Sequence, residues 1–320
     1  MVHGKSNAMK AVRLHRRGGP DALVYEDAPR PALLDDDALV RVRAVGITGT
    51  ELSWGTTYAA SDGTPRLPSI PGHEISGVVE ALGVHTAGLR AGSAVFGLTD
   101  FYRDGGEAEL VAVRARDLAI KPRSLDFVHA AAVTLSGLTA WQALFDHGRL
   151  AAGQRVLIHG AAGGVGTFAV QLAARRGAHV IGTASAKNDR LLRELGADEV
   201  IDYTAARFED LVHDVDLVLD TIGGDTLDRS WGVLRKGGTL VTIAGAGNPK
   251  KAKRFGVRSL FFVVEPNRQQ LMEIGRWIDA GTLRVVVEAV FPLEQARMAF
   301  EKSLQGHNRG KIVLRVPENG

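Results

Sequence analysis

The chain contains no cysteine. This excludes disulfides, a thiol nucleophile and thiolate-ligated zinc together, so the site chemistry must proceed without a thiol. The chain also has no uninterrupted apolar run near the about 18 residues of a membrane span, and no charged-then-apolar leader, which points to a soluble cytoplasmic protein with no membrane partner. Strong charge of one sign is missing as well. The formal net charge is +3, from 39 Lys and Arg against 36 Asp and Glu, with no basic tail, which argues against nucleic acid as the main partner. Neither an internal repeat nor a low-complexity segment is present.

What is present is 320 residues, 45% of them hydrophobic, with 38 glycines. That length holds two domains, and that composition suits a folded, loop-rich α/β enzyme. Residues 1–8 carry no pattern. Ser6, Asn7 and Ala8 look like the remnant of a cleaved tag, so Met9 is read as the natural start and the leader is left out of the fold argument.

Residues 155–187 read as half of a dinucleotide-binding fold. An apolar, β-branched run at 156–159 stops at Gly160, a glycine-rich turn follows, and a helical pattern places Val165, Phe168, Ala169, Leu172 and Ala173 on one face as far as Gly177. A second apolar strand at 179–183 closes the β-α-β unit. Gly160 and Gly163 let the chain turn and bring backbone N–H groups to a pyrophosphate, and Gly166 lets the helix pack close to the strand. Ala161 stands where the commonest fingerprint has its first glycine, so the assignment rests on the strand before, the helix after and the second strand. The alternative is a plain glycine-rich turn of an α/β domain. An NAD site offers a carboxylate about 20 residues past the glycines, whereas a 2′-phosphate wants cations and hydroxyls. This chain offers Ser185, Lys187 and Arg190 and no acid between His179 and Asn188, which favours NADP(H). Alternatively, Lys187 and Arg190 solvate a helix start.

Before residue 121 the signals are short strands, at 10–14, 38–45, 74–82, 93–97, 107–113 and 118–120, and this half reads as a compact β-barrel. Gly77 within the third of them suggests a close backbone approach or a kink of the barrel. Ser124-Leu125-Asp126 resembles a helix start before an alanine-rich segment at 128–135, and 137–145 reads as a second helix crossing between the halves. From 156 onward helices and strands alternate: helices at 189–195 and 225–234, strands at 199–201, 215–219 and 239–243. The reading is α/β, a doubly wound parallel sheet. The β-rich run at 257–264 is placed as an edge strand able to pair with a second subunit. A helix at 268–280 and strands at 285–290 and 311–316 end the chain.

These motifs converge. Val45-Gly46-Ile47, Pro71-Gly72-His73-Glu74 with Gly77 and Val79, Ala130-Ala131-Ala132, Gly137-Leu138-Thr139-Ala140, the Ala161–Gly166 turn, Leu195-Gly196-Ala197-Asp198 with Ile201-Asp202-Tyr203, and Arg309-Gly310-Lys311-Ile312-Val313 together resemble the medium-chain dehydrogenase/reductase superfamily, in its zinc-free, quinone-oxidoreductase-like (zeta-crystallin-like) branch. The resemblance runs from Met9 to Val316. It implies a GroES-like β-barrel catalytic domain over 9–125, a Rossmann domain over 126–266, and a segment from 267 to 320 that returns to complete the barrel. It further implies an active site in the cleft between them and, since most members are homodimers, a homodimer. It also implies that Ser185, Lys187 and Tyr203 hold the adenosine 2′-phosphate and that Arg309 reaches the cofactor. The cofactor-binding set is then Gly160, Ala162, Gly163, Gly164, Val165, Ser185, Lys187, Tyr203, Gly245, Arg309 and Lys311.

Zinc-dependent relatives place a cysteine after Val-Gly-Ile, where this chain has Thr48. Of the ligand set only His73, with Glu74, survives, and one ligand does not make a site. His73 is read as a structural hydrogen-bonder and no metal is expected. Many zinc-free members have Asn-Pro-Val-Asp where this chain has Thr48-Gly49-Thr50-Glu51, so the pocket floor resembles that of a zinc enzyme with the ligand removed. Without a Lewis acid, substrates already electrophilic at carbon fit best, quinones or α,β-unsaturated carbonyls reduced by hydride from NADPH.

Thr48, Tyr58 and Thr134 are the candidate donors to the resulting oxyanion, with Ser53 behind them. Tyr58 is otherwise an ordinary loop tyrosine, and Thr134 a helix-packing threonine. Two other readings stand beside this one: a zinc-free carbonyl reductase resembling alcohol dehydrogenases, and a non-enzymatic NADPH-binding protein. Some relatives bind RNA, and Lys250, Lys251, Lys253 and Arg254 would then serve it rather than a solvated surface loop.

Overall fold

The computed structural model describes residues 8–317, so the leader reading, Ala8 apart, lies outside the described residues. Strands β1 (Ala8–Leu14) and β2 (Leu23–Pro29) form an antiparallel pair with Leu14 opposite Leu23. Strands β3 (Asp37–Ile47), β4 (Glu74–Leu82), β5 (Ala94–Leu98), β6 (Leu110–Arg114) and β7 (Leu118–Ile120) follow. Helices α1 (Phe127–Ala131) and α2 (Thr134–Trp141) then lead, through a π-helical turn at Gln142–His147, into the second half.

There β8 (Arg155–Ile158), α3 (Gly164–Arg175), β9 (His179–Ala184), α4 (Asp189–Glu194), β10 (Glu199–Asp202), β11 (Val215–Asp220), α5 (Gly224–Arg229), β12 (Leu234–Thr242), α6 (Pro249–Phe255) and β13 (Arg258–Phe261) alternate. Helix α7 (Arg268–Asp279), strand β14 (Val287–Pro292), helix α8 (Ala296–Leu304) and strand β15 (Lys311–Arg315) complete the chain.

The second half builds one parallel six-stranded sheet in the order β10-β9-β8-β11-β12-β13. Its central strands read as continuous apolar runs because both faces are covered. Leu157, Ile181, Val218 and Leu240 pack with Trp231 on one face, while Val156, Ile158, Val180 and Leu219 join α2 and α3 on the other. Strand order reverses between β8 and β11, so the turn after β8 sits where an open parallel sheet forms its crevice.

Five strands of the first half are joined by the two C-terminal strands in a seven-stranded sheet, β14-β15-β3-β4-β5-β7 with β6 also on β3. The expected return of the C-terminal strands is seen directly: β15 lies antiparallel to β3, with Ile312 opposite Ile47. A Cβ on Gly77 would stand 2.2 Å from the Arg41 carbonyl, the close approach its place in the strand suggested.

Several expectations shift. The helix boundary lies at 132–133 rather than 136, because Gly137 is inside α2, where a Cβ would meet Ile274 of α7 at 3.4 Å; it serves helix packing rather than a break. The basic run is helix α6, capped by Asn248, and not a loop; Lys251 pairs with Asp228 at 2.6 Å. The run at 257–264 is strand only over Arg258–Phe261, and the helix expected at 225–234 ends at Arg229. Asp126, in the expected helix start, caps α1 by accepting from the His129 N–H at 2.8 Å.

Phe168 of α3 lies wholly inside the core. Phe168→Ala is expected to lower stability by about 3–5 kcal/mol in urea melts, whereas Val84→Ser, at a position 80% exposed, leaves the midpoint nearly unchanged.

Candidate active site

The site is built around the turn that follows β8. Gly160 has φ +66°, open to glycine at no steric cost, and a Cβ on Gly166 would stand 2.2 Å from the Gly160 carbonyl, so α3 packs directly on the turn. Gly163 is the N-cap of α3, leaving the first N–H groups of that helix facing outward with the positive end of its dipole. The turn is fastened to the other sheet: the Gly310 N–H donates to the Ala162 carbonyl at 2.8 Å, and Gly163 bridges to Gly310. Between the two sheets lies a cavity of about 900 Å³. Gly160, Ala162, Gly163, Gly164 and Val165 all line it.

One end of the cleft is polar, and among the described residues no carboxylate lines it. Ser185, Asn188, Tyr203 and His307 line it, and the Asn188 amide donates to Ser185 Oγ at 3.2 Å. The Tyr203 hydroxyl lies 2.9 Å from His307 Nδ1, with the rings stacked, so the end of β10 meets the loop before β15. Deeper in, His159 bridges Thr183 Oγ1 (3.0 Å) and Ser230 Oγ (2.9 Å). Ser230 gives its own hydrogen to the Thr226 carbonyl, so His159 Nε2 is the donor in that pair. Burial holds the imidazole neutral, its pKa down to about 3.

Not every expected residue converges. Lys187 and Arg309 are exposed and do not line the cleft; the Arg309 N–H donates to Glu288. Arg190 points along α4 to Glu194. Gly245 stands in the open turn beyond Ile243, which does line the cleft. Tyr58 is only 5% exposed, its hydroxyl donates to the Leu52 carbonyl at 2.5 Å, and its ring packs in the core of the first sheet. Its neighbours Trp54, Gly55 and Thr56 face the cleft in its place. Thr134 is buried and donates to the Ala131 carbonyl at 3.3 Å, whereas Ser136 and Thr139, three residues apart on the other side of α2, line the cleft. Ser53 donates to the Thr50 carbonyl.

At the other end Thr48 forms the floor with Lys311. Thr48 Oγ1 donates to Glu74 Oε1 at 2.8 Å. Lys311 Nζ donates to Glu74 Oε1 at 2.6 Å, to the Ile47 carbonyl at 2.8 Å and to Thr48 Oγ1 at 3.3 Å. Lys311 thus lines the cleft, but its ammonium is turned to Glu74. Below lie Glu51, His73 and Glu107, all fully buried. Burial, helped by the Glu74 charge, pushes Glu51 up to about 8 against the Gly72 N–H bond and the Lys311 charge, which work the other way. Burial takes His73 down to about 3, and burial with the Glu51 charge raises Glu107 well above the ordinary carboxyl range. The 3.4 Å contact between His73 Nε2 and Glu51 joins two groups that burial pushes towards their neutral forms. His73 bonds Thr99 at 2.6 Å and meets the Phe101 ring edge-on, the structural role expected of it. Among the described residues, no group of three or more His, Asp or Glu is arranged to hold a metal ion.

Local pattern did not reveal His159, His307 or the buried acids. The usable signal for His159 was its place immediately before Gly160, at the end of a strand pointing into the crevice.

A parallel sheet with a glycine turn at its switch point, facing a second sheet across a polar-ended cleft, is an arrangement suited to binding a dinucleotide, as in oxidoreductases. The comparisons with known proteins agree. The alcohol dehydrogenase GroES-like domain matches residues 34–123 and the zinc-binding dehydrogenase family matches 195–314. The mitochondrial NAD(P)H oxidoreductase RTN4IP1 of Danio rerio is 32% identical, covering 98% of this chain and 93% of that protein. The chloroplastic NADPH-dependent alkenal/one oxidoreductase of Arabidopsis thaliana is 32% identical over 96% of this chain and 79% of that protein. The solved quinone oxidoreductase from Coxiella burnetii superposes with a TM-score of 0.91 at 31% identity, covering 97% of this chain and all of that one. The chain belongs to the medium-chain dehydrogenase/reductase superfamily and is quinone-oxidoreductase-like.

The raised pKa of Glu51 fixes a sign. Between the unfolded value of 4.5 and the folded value of about 8 the native state holds the extra proton, so this residue's contribution to stability is full below pH 4.5 and is lost as pH rises to about 8. Urea melts of wild type and Glu51→Gln across that window are expected to show wild type losing stability steadily relative to the variant. The two profiles running parallel would show the carboxyl to be ionised in the fold.

Proposed function

We propose that the protein is a zinc-independent, NADPH-dependent oxidoreductase that reduces a quinone or an α,β-unsaturated carbonyl. The observation that carries this reading is the cleft itself, with the N-terminal turn of α3 at its middle, hydroxyl and imidazole groups at one end, and the Thr48–Lys311 floor at the other. The residues fit a dinucleotide: side chains at Gly160, Gly164 or Gly166 would fill the turn, and the α3 N–H groups point where a pyrophosphate would lie. Bound there, the nicotinamide would supply the hydride.

Ser185, Asn188, Tyr203 and His307 would hold the adenosine end; with no carboxylate lining it, this end suits a 2′-phosphate better than a bare 2′-hydroxyl. Lys187, on the exposed turn after Ser185, would add charge. Trp54 and Phe101, edge to face at 5.3 Å, form an apolar wall for a flat, conjugated substrate and exclude water from it. Thr48 is the hydroxyl at the floor. Thr48 stands where zinc-dependent members of the superfamily carry a cysteine, and a hydroxyl beside the single histidine His73 is not a ligand set for zinc, which supports the zinc-independent reading. Residues 9–125 with 267–320 would form the catalytic unit and 126–266 the nucleotide unit. The edge strand β13, paired only with β12, would join two copies in a homodimer.

Quinones and enones assayed with NADPH and NADH in parallel test this. kcat/KM is expected to be at least about tenfold higher with NADPH, and Ser185→Asp to lose about tenfold with NADPH alone through repulsion of the 2′-phosphate. Equal use of both cofactors would sink the NADPH assignment. Activity confined to alcohols with added zinc would sink the reaction class.

A further inference from the structure

We propose that the Lys311 ammonium binds the oxyanion formed on the substrate and gives it its proton, with Glu74 as the positioning residue that holds the ammonium at the floor of the cleft. This rests on the proposed reduction and names the group that completes it.

Lys311 begins β15 directly after the Gly310 bridge to the glycine turn, and its stem runs beneath α3: a Cβ on Gly164 would meet Lys311 Cδ at 2.7 Å. The side chain is 6% exposed and that of Glu74 is 1% exposed. A buried ammonium needs an acceptor for each hydrogen, and Lys311 has three: Glu74 Oε1 at 2.6 Å, the Ile47 carbonyl at 2.8 Å and Thr48 Oγ1 at 3.3 Å. The first two fix the head group. The third is long, and its acceptor already commits its own hydrogen to Glu74 at 2.8 Å. Thr48 and Lys311 both face the cavity. The third hydrogen is therefore the one that a stronger acceptor entering the cleft would capture, and an anionic oxygen is a far stronger acceptor than a hydroxyl.

The surroundings leave that cation available. Glu51 and Glu107, the carboxyls packed behind the floor, are kept protonated by burial, and His73 is kept neutral. Glu74 is then the carboxylate that faces Lys311, and its Oε2 has no hydrogen-bond partner.

The step balances. Hydride leaving a C–H bond of the bound dinucleotide would form a C–H bond at the β-carbon of a conjugated carbonyl, leaving an enolate, or an O–H bond at one oxygen of a quinone, leaving a hydroquinone monoanion. The oxygen takes a proton from Nζ, the electrons of the broken N–H bond stay on nitrogen, and solvent returns the proton once product leaves. The competing assignment is that the ammonium turns to the pyrophosphate beside Gly164.

The test uses the full-length protein, Lys311→Arg, and the double variant Lys311→Met with Glu74→Gln, which removes both charges so that neither is left buried and unpaired. Three quantities are read: NADPH affinity by fluorescence titration, ionisation of 4-nitrophenol bound to the NADP+ complex by its visible absorbance, and turnover. Wild type is expected to hold the bound phenol as phenolate at least about one pH unit below its free titration. The double variant should abolish that shift, change NADPH affinity less than about threefold and lower kcat about 100-fold. Lys311→Arg should keep the phenolate shift yet lose at least about tenfold in kcat, because a guanidinium does not release its proton. A phenolate shift that is absent in wild type or survives in the double variant overturns the proposal. So does an NADPH affinity weakened tenfold with kcat intact, which assigns Lys311 to the cofactor. A Lys311-dependent phenolate shift in a protein that reduces no quinone or enone keeps the anion site and overturns the proposed reaction instead.

Discussion

The backbone hydrogen bond from Gly310 to the Ala162 carbonyl, 2.8 Å long, fixes where the two sheets meet. A dinucleotide turn alone is a generic feature of parallel sheets, and a β-rich domain alone offers no reactive crevice. Joining the last strand of one to the loop of the other makes a cavity whose walls come from both. The junction also demands its residue: Gly310 has φ +79°, and a Cβ there would stand 2.2 Å from the Val286 carbonyl. The next residue along is Lys311, so the same backbone contact that sets the cleft's width sets the height of its cation.

Beneath that floor the protein has concentrated charge by suppressing it. Three glutamates and a histidine lie within the same buried region, yet burial keeps His73, Glu51 and Glu107 in their neutral forms. Leaving several ionised groups there would cost several kcal/mol each without partners. What remains is one pair, Lys311 with Glu74, in a region of low polarisability where its field is little screened.

Much of this architecture was legible because it is written locally. The β8–α3–β9 unit announced itself through an apolar run, spaced glycines and a helical period, and the structure places it at residues 155–184 as read. Helix α6 was missed because it buries no residue and so shows only charge. Helix α8 was missed although Ala296, Ala299 and Phe300 carry the one-face spacing, because the segment is short. Strand β2 exposes much of its length and reads as polar. The site divides the same way. The phosphate turn is a local motif, whereas Lys311 reaches Glu74 across 237 positions of sequence, a pairing that only the fold creates. Tyr58 and Thr134 carry hydroxyls suited to donating to an oxyanion, but core packing claims the first and helix phase the second.

The ammonium at the floor has a property that no bound ion shares. It is covalently part of the chain, so every folded copy carries one, at one height, with nothing for a chelator to extract and no competing metal to mistake for it. A cation arriving at this floor would have to compete with a charge already in place, because Lys311 holds Glu74 at 2.6 Å and could give it up only by leaving its own ammonium buried without that partner.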